Sequence, residues 1–328
     1  MKCFKFLALV LSLPSVVSGQ AVVQDTGSSA VFRSATDLVA LTVTVTDSRQ
    51  QPIIGLNAGD FVVLEDGVPQ NVSYFAAGEV PLDITLLVDG SASMRDKLDM
   101  AREAVKGLTR KLRPTDRISV VEFRDSVVQR QTMTEDRGAV ESALNAIKAQ
   151  GSTALYNAMY VALSEFRDRP ATADQVRRQA IVVLSDGRDT KSLIAYEDVL
   201  EQARRRGVMV YVVALRSNAP NRPNGRATGD LEEGDYAMQS LARETGGQCF
   251  FPSGVQQLTG IYQAISSELG QQYALGYTSQ NRRVDGGWRR VLVQLPRRPD
   301  ARPRARSGYF AEAVGRVLVS GLRSAISR

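Results

Sequence analysis

Ile84-Thr85-Leu86-Leu87-Val88-Asp89-Gly90-Ser91-Ala92-Ser93 is the stretch on which the fold turns. Ile84 to Val88 reads as a continuous apolar run, the texture of a strand covered on both faces. The run stops at Asp89, and Leu98, Ala101, Val105, Leu108 and Leu112 follow at 3-4-3-4 spacing, which predicts an amphipathic helix. Ile118 to Phe123, Ala180 to Leu184 and Val208 to Leu215 repeat the buried-strand texture. Helical stretches lie between and after them, at about 137–149, 154–168, 195–206, 237–245 and Val255 to Leu269. Alternating strand and helix predicts an α/β domain over residues 82–270, a doubly wound, mostly parallel sheet with Rossmann-like layering.

Outward from this segment the texture becomes all-β. Val39, Leu41, Val43 and Val45 alternate with Ala40, Thr42, Thr44 and Thr46, the period of a half-buried strand. Phe61 to Glu65, Asp66-Gly67 and Val68 to Phe75 read as a hairpin on a type I′ turn, with Pro69 placing the second arm at an edge. Gln271 to Thr278, a turn at Asp285-Gly286-Gly287, and Trp288 to Leu295 continue the β texture toward Phe310. Neither 30–78 nor 271–310 carries enough apolar surface to fold alone. They are expected to pair into one β-sandwich-like unit flanking the α/β domain, which the chain leaves near Gly78 and re-enters near Gln271. Residues 311–328 form a weakly amphipathic tail, and Trp288 is expected to pack in a core.

The N-terminus predicts export. Lys2 and Lys5 precede an apolar run from Phe6 to Leu13, and Ser18-Gly19 offers a small-residue exit, so residues 1–19 read as a signal peptide. No later stretch approaches the roughly 18 apolar residues needed to span a bilayer. The periplasm or the cell exterior is the expected location. Cys3 leaves with the leader, and Cys249 is then the one remaining cysteine.

The chain has no histidine, which removes Ser-His-Asp and Cys-His catalysis and imidazole-ligated zinc. Its formal charge of +6 over 328 residues is mild, and the arginines between Arg282 and Arg306 read as a solvated face, not a nucleic-acid groove. No Gly-x-Gly-x-x-Gly follows the first buried strand, which disfavours a dinucleotide fold. Asn71-Val72-Ser73 is read as a chance match to a glycosylation sequon.

Asp89, Ser91 and Ser93 follow one buried strand, and Ser185-Asp186-Gly187 ends another. In a parallel sheet both carboxylates fall at the C-terminal edge, where open α/β folds place ligands. Gly151-Ser152-Thr153-Ala154 opens a helix and presents a further hydroxyl. Asp89, Ser91, Ser93, Thr153 and Asp186 thus supply five hard oxygen donors, suited to magnesium, manganese or calcium. They do not fill an octahedron, so a position is left for water or for a carboxylate from another molecule. Ser93 is also placed to cap the helix that follows. A phosphatase of the haloacid-dehalogenase type would want Asp, not Ser, at position 91.

These residues resemble the von Willebrand factor type A domain and its metal-ion-dependent adhesion site, whose pattern Asp-x-Ser-x-Ser, a distant Thr and a later Asp is matched at all five positions. The flanks "FRSATDLVALTVTVTD", "DFVVLEDGVPQ", "YALGYTSQ" and "RSGYF" resemble a bacterial family of exported proteins related to it. Asn157, in "TALYNAM", stands where that family leads one to expect an acid. The resemblance implies serines and threonine at or near the metal, and aspartates acting directly or through water. It also implies a partner protein's Asp or Glu that completes the shell. The expected function is a non-enzymatic, metal-dependent interaction module of the adhesion type. The alternatives are a metal-assisted hydrolase using Asp89 or Asp186 as base, and an envelope scaffold whose metal stiffens the loops. The stretch from Arg216 to Tyr236, with Asp230, Glu232, Glu233 and Asp235, is expected to be an irregular loop rimming the site.

Overall fold

The computed structural model describes residues 38–78, 80–166, 177–186, 189–215 and 229–311. The signal-peptide segment and residues 312–328 of the tail lie outside them.

The chain enters through β1 (Leu38–Thr46), whose Val39, Leu41, Val43 and Val45 are all buried as the alternation requires. β2 (Val62–Glu65) and β3 (Val68–Gln70) form the hairpin, with Asp66 and Gly67 both at positive φ, 47° and 85°, as a type I′ turn demands. The second arm is not one strand. It breaks at Asn71, and β4 (Val72–Ala77) crosses to a different sheet. Pro69 has no N–H to continue a ladder, and β3 is the edge of its sheet.

The central sheet begins with β5 (Leu82–Asp89), buried along its whole length. After it come α1 (Leu98–Thr109), β6 (Arg117–Phe123), β7 (Val127–Thr134), α2 (Arg137–Asn145) and α3 (Leu155–Glu165). Next are β8 (Arg178–Ser185), α4 (Tyr196–Arg206), β9 (Met209–Ala214), α5 (Gly229–Thr245), β10 (Cys249–Phe250) and α6 (Leu258–Gly270). The strand order is β10-β9-β8-β5-β6-β7, parallel throughout except for β7. Helices α1, α2 and α6 pack on one face against Ile84, Leu86 and Val88. Helices α3, α4 and α5 pack on the other against Leu87, Val121 and Val183. Ile84, Leu86 and Leu87 are each at most 1% exposed. Such side chains contribute about 1.5–3 kcal/mol apiece, enough to hold the strand although it ends in a buried carboxylate.

β11 (Tyr273–Thr278), β12 (Trp288–Gln294), β13 (Arg302–Arg304) and β14 (Gly308–Phe310) complete the chain. They join the N-terminal strands in two antiparallel sheets, β13-β1-β11-β4 and β14-β12-β2-β3, around a core of Val39, Leu41, Phe61, Val63, Leu275 and Val293. Glu65 is 2% exposed in this sandwich and accepts from Tyr277 Oη (2.9 Å), Tyr309 Oη (2.9 Å) and Ser279 Oγ (2.6 Å). Three hydroxyl donors offset the desolvation of one carboxylate. The chain leaves at Gly78, whose N–H donates to Gln272 O (2.9 Å), so exit and return lie side by side. Trp288 meets Phe310 edge-on at 5.0 Å, half-buried beneath the Arg204 guanidinium.

Two expectations are corrected here. The arginine-rich segment is not simply a solvated face. Arg304 donates to Glu268 Oε2 on α6 (2.6 Å), Arg306 donates to Ala40 O (2.8 Å), and Arg289 is buried. Second, the stretch up to Tyr236 is not irregular throughout, because α5 begins at Gly229 and takes in all four acidic positions. Gly229 and Gly234 mask the helical signal, while acids early in a helix complement its dipole. The expectation for residues 216–228 falls outside the described residues. Among the described residues, no helix is long and apolar enough to cross a membrane.

Candidate metal centre

β5 and β8 are adjacent and parallel, with Val88 opposite Leu184, so the residues that follow each strand meet at one edge. Asp89, the last residue of β5, is fully buried. Its Oδ1 accepts from Ser91 N (2.8 Å) and its Oδ2 from Ser185 Oγ (2.5 Å). Gly90 follows because nothing larger fits: a Cβ there would stand 2.9 Å from Glu122 Oε1 and 3.1 Å from Lys148 O. A short 3-10 turn, Ala92–Met94, then carries Ser93 outward while buried Met94 anchors it.

The hydroxyls form a chain across the edge. Ser91 Oγ lies 2.9 Å from Ser93 Oγ, and Ser93 Oγ donates to Asp186 Oδ1 at 2.6 Å. The other Asp186 oxygen accepts from Lys97 Nζ. Ser93 therefore does not cap α1, as the sequence suggested. The cap position is Lys97, which makes no side-chain cap bond, and the serine hydroxyl is committed to Asp186 instead.

Thr153 reaches the same edge through its backbone. Gln150 N donates to Gly90 O (2.8 Å) and Ala92 N to Gly151 O (3.0 Å), which fastens the 150–153 loop to the Asp89–Ser93 loop. Thr153 O accepts from Thr190 N (2.9 Å) and Lys191 N (3.1 Å), which fastens it to the segment after Asp186. The residue is 5% exposed. Direct hydrogen bonds thus link Asp89 to Ser91 and Ser91 through Ser93 to Asp186, and backbone bonds add the Thr153 loop.

Sequence reasoning passed over several supporting residues. Ser185 fixes Asp89, and Lys97 neutralises Asp186. Asp189 caps α3 by accepting from Leu155 N (2.8 Å) and also holds Ser192 Oγ (2.6 Å). Asn157 Oδ1 accepts from both Leu193 N and Ile194 N (3.1 Å each), a role for a neutral carbonyl where an acid was expected. The one available signal was the position of Ser185, which directly precedes Asp186.

Burial pushes the Asp89 carboxyl above its ordinary range, the bonds from Ser185 and Ser91 pull it back, and the nearby Asp186 charge pushes it up again. Two carboxylates drawn together in a poorly solvated edge are relieved by a positive charge between them. Among the described residues no group of three or more His, Cys, Asp or Glu side chains is placed to hold a metal ion; the donors gathered at this edge are carboxylate and hydroxyl oxygens, which suit hard cations. The donor set is compatible with a magnesium-type ion, and the Lys97 ammonium already marks the edge as one that accepts a cation.

The chain is 30% identical over 111 residues to an uncharacterized protein of Synechocystis sp., covering 33% of this chain and 26% of that one. It is 23% identical over 221 residues to a UPF0353 protein of Mycolicibacterium paratuberculosis, covering 61% and 65%. It thus spans about a quarter and just under two thirds of these relatives. A solved structure described as von Willebrand factor type A from Catenulispora acidiphila superposes with a TM-score of 0.47 at 11% identity, covering 82% of this chain and 73% of that one. The family model for the von Willebrand factor type A domain matches residues 83–264, from the second residue of β5 into α6, and takes in the Asp89–Asp186 edge. This chain belongs to the von Willebrand factor type A domain family.

Proposed function

We propose that the protein is an exported interaction module that binds an acidic residue of a partner protein through a divalent cation held by Asp89, Ser91, Ser93, Thr153 and Asp186. The observation that carries this reading is the unbroken polar chain from buried Asp89 through Ser91 and Ser93 to Asp186, at the C-terminal edge of a parallel sheet. Two carboxylates nearly neutralise a divalent ion, so a third from outside is attracted without heavy repulsion. Magnesium is the first choice of ion, with manganese and calcium next. Such an ion supplies a fixed positive charge and an open coordination position. The protein's residues supply orientation. Export rests on the leader-like residues 1–19. The rival hydrolase reading asks Asp89 or Asp186 to act as a base, yet the Asp89 oxygens are engaged by Ser91 and Ser185 and the Asp186 oxygens by Ser93 and Lys97.

Calorimetry of magnesium binding tests the proposal. One ion per chain is expected, with the heat lost in Asp89→Ala while the circular dichroism spectrum is kept. A peptide library containing Asp or Glu should be captured with magnesium and released by chelator. Metal affinity unchanged in Asp89→Ala would reject the site.

A further inference from the structure

Lys97 sits in an unexpected place. It occupies the N-terminal cap of α1, where the helix dipole favours an anion and a lysine is disfavoured. Its side chain makes no capping bond. Its backbone is fixed on both sides, since its N–H donates to Met94 O (2.9 Å) and its carbonyl accepts from Ala101 N (3.0 Å). What holds the ammonium there is Asp186, whose Oδ2 accepts from Nζ. The Asp186 side chain is 1% exposed and that of Lys97 is 25% exposed, so the lysine has a way out to solvent and the carboxylate does not.

We propose that Lys97 is a built-in competitor for the metal: its ammonium and the divalent ion contend for the Asp186 carboxylate, and loading the site moves the lysine side chain aside. This rests on the metal-dependent reading above and adds its regulation. An ammonium left in contact with Asp186 would stand against the ion as a like charge, so the two positive groups exclude one another at close range. The backbone need not move, because its anchoring bonds are independent of Nζ. Displaced toward solvent, the side chain stays attached at the rim of the site, where its charge favours an approaching acidic partner.

Calorimetry on the full chain and on Lys97→Met, which keeps the aliphatic stem, reads the competition. The variant is expected to bind magnesium about fivefold more tightly, the scale set by losing one partly exposed ion pair. Acylation of lysine amines by a succinimidyl ester, mapped by mass spectrometry, reads the movement in the natural chain. Lys97 should label several-fold faster with magnesium than with chelator, while Lys106 and Lys111 label at constant rates. Equal magnesium affinity in the two proteins, or labelling of Lys97 that ignores magnesium, leaves the metal site standing and overturns the competition. A variant that only melts earlier, with unchanged affinity, gives Lys97 a structural role and overturns it too. If neither protein binds magnesium, manganese or calcium, the metal reading and this inference fall together.

Discussion

Ser185 Oγ donates to Asp89 Oδ2 at 2.5 Å, so the last residue of one parallel strand positions the last residue of its neighbour. Both groups are buried, and the bond ties together the strands that carry the two carboxylates of the site.

Ser185→Ala should remove one of two donors from a fully buried carboxylate. The cost is about 1–3 kcal/mol of stability, the usual result of leaving a buried polar group short of a partner. Urea unfolding should show it as a lower midpoint with an unchanged slope. Magnesium affinity should fall as well, because Asp89 loses its fixed rotamer. A midpoint equal to that of the natural chain would show that the bond contributes nothing.

Gly90→Ala brings a methyl group to within 2.9 Å of Glu122 Oε1 and 3.1 Å of Lys148 O. Glu122 is buried and bonded to Arg130, so it has little room to give. Overpacking of this kind costs about 1–3 kcal/mol. The loop that carries Ser91 and Ser93 should shift, so thermal stability and metal affinity should drop together. Thermal melts with and without magnesium would show this as a smaller gain from the ion in the variant.

Alkaline pH should destabilise the sandwich. Burial first, and then the bond to Glu65 and its charge, push the Tyr309 phenol from its ordinary 10 up to about 12, and burial, the neighbouring Tyr309 and Glu65 raise Tyr277 as well. A phenol whose pKa is higher folded than unfolded favours the folded state below pH 10, and that contribution is lost as pH climbs through about 12. Tyrosinate absorbance and near-ultraviolet dichroism should therefore change together in that window. Tyr309→Phe should shrink the alkaline loss, and an unaltered pH profile would place the sensitivity elsewhere.

The sequence made the central sheet legible because β5, β8 and β9 are buried on both faces and must be apolar throughout. The same logic missed β7, where Gln129, Arg130 and Gln131 interrupt an antiparallel edge strand that is only half buried. It missed the start of α5, where two glycines dilute the helical pattern. The pairing of N- and C-terminal strands was readable from what each lacked, a core of its own. The break at Asn71 was not, because a strand that changes sheets keeps its alternation. In the site, Asp89, Ser91, Ser93 and Asp186 follow from strand ends, which are local features. Lys97 as partner to Asp186 is a contact across 89 residues and has no local signature.

β11 lies between β1 and β4, and Thr44 reaches Glu268 across 224 residues. A growing chain therefore releases β1 and β4 long before β11, the strand that joins them, exists. During synthesis, β1 and β4 must wait with exposed backbone edges while the whole α/β segment is made. Contacts of such sequence separation form slowly, and unpaired edges in the interval invite association with other chains. The order of appearance thus favours the α/β domain folding first, with the sandwich closing as the final step of assembly.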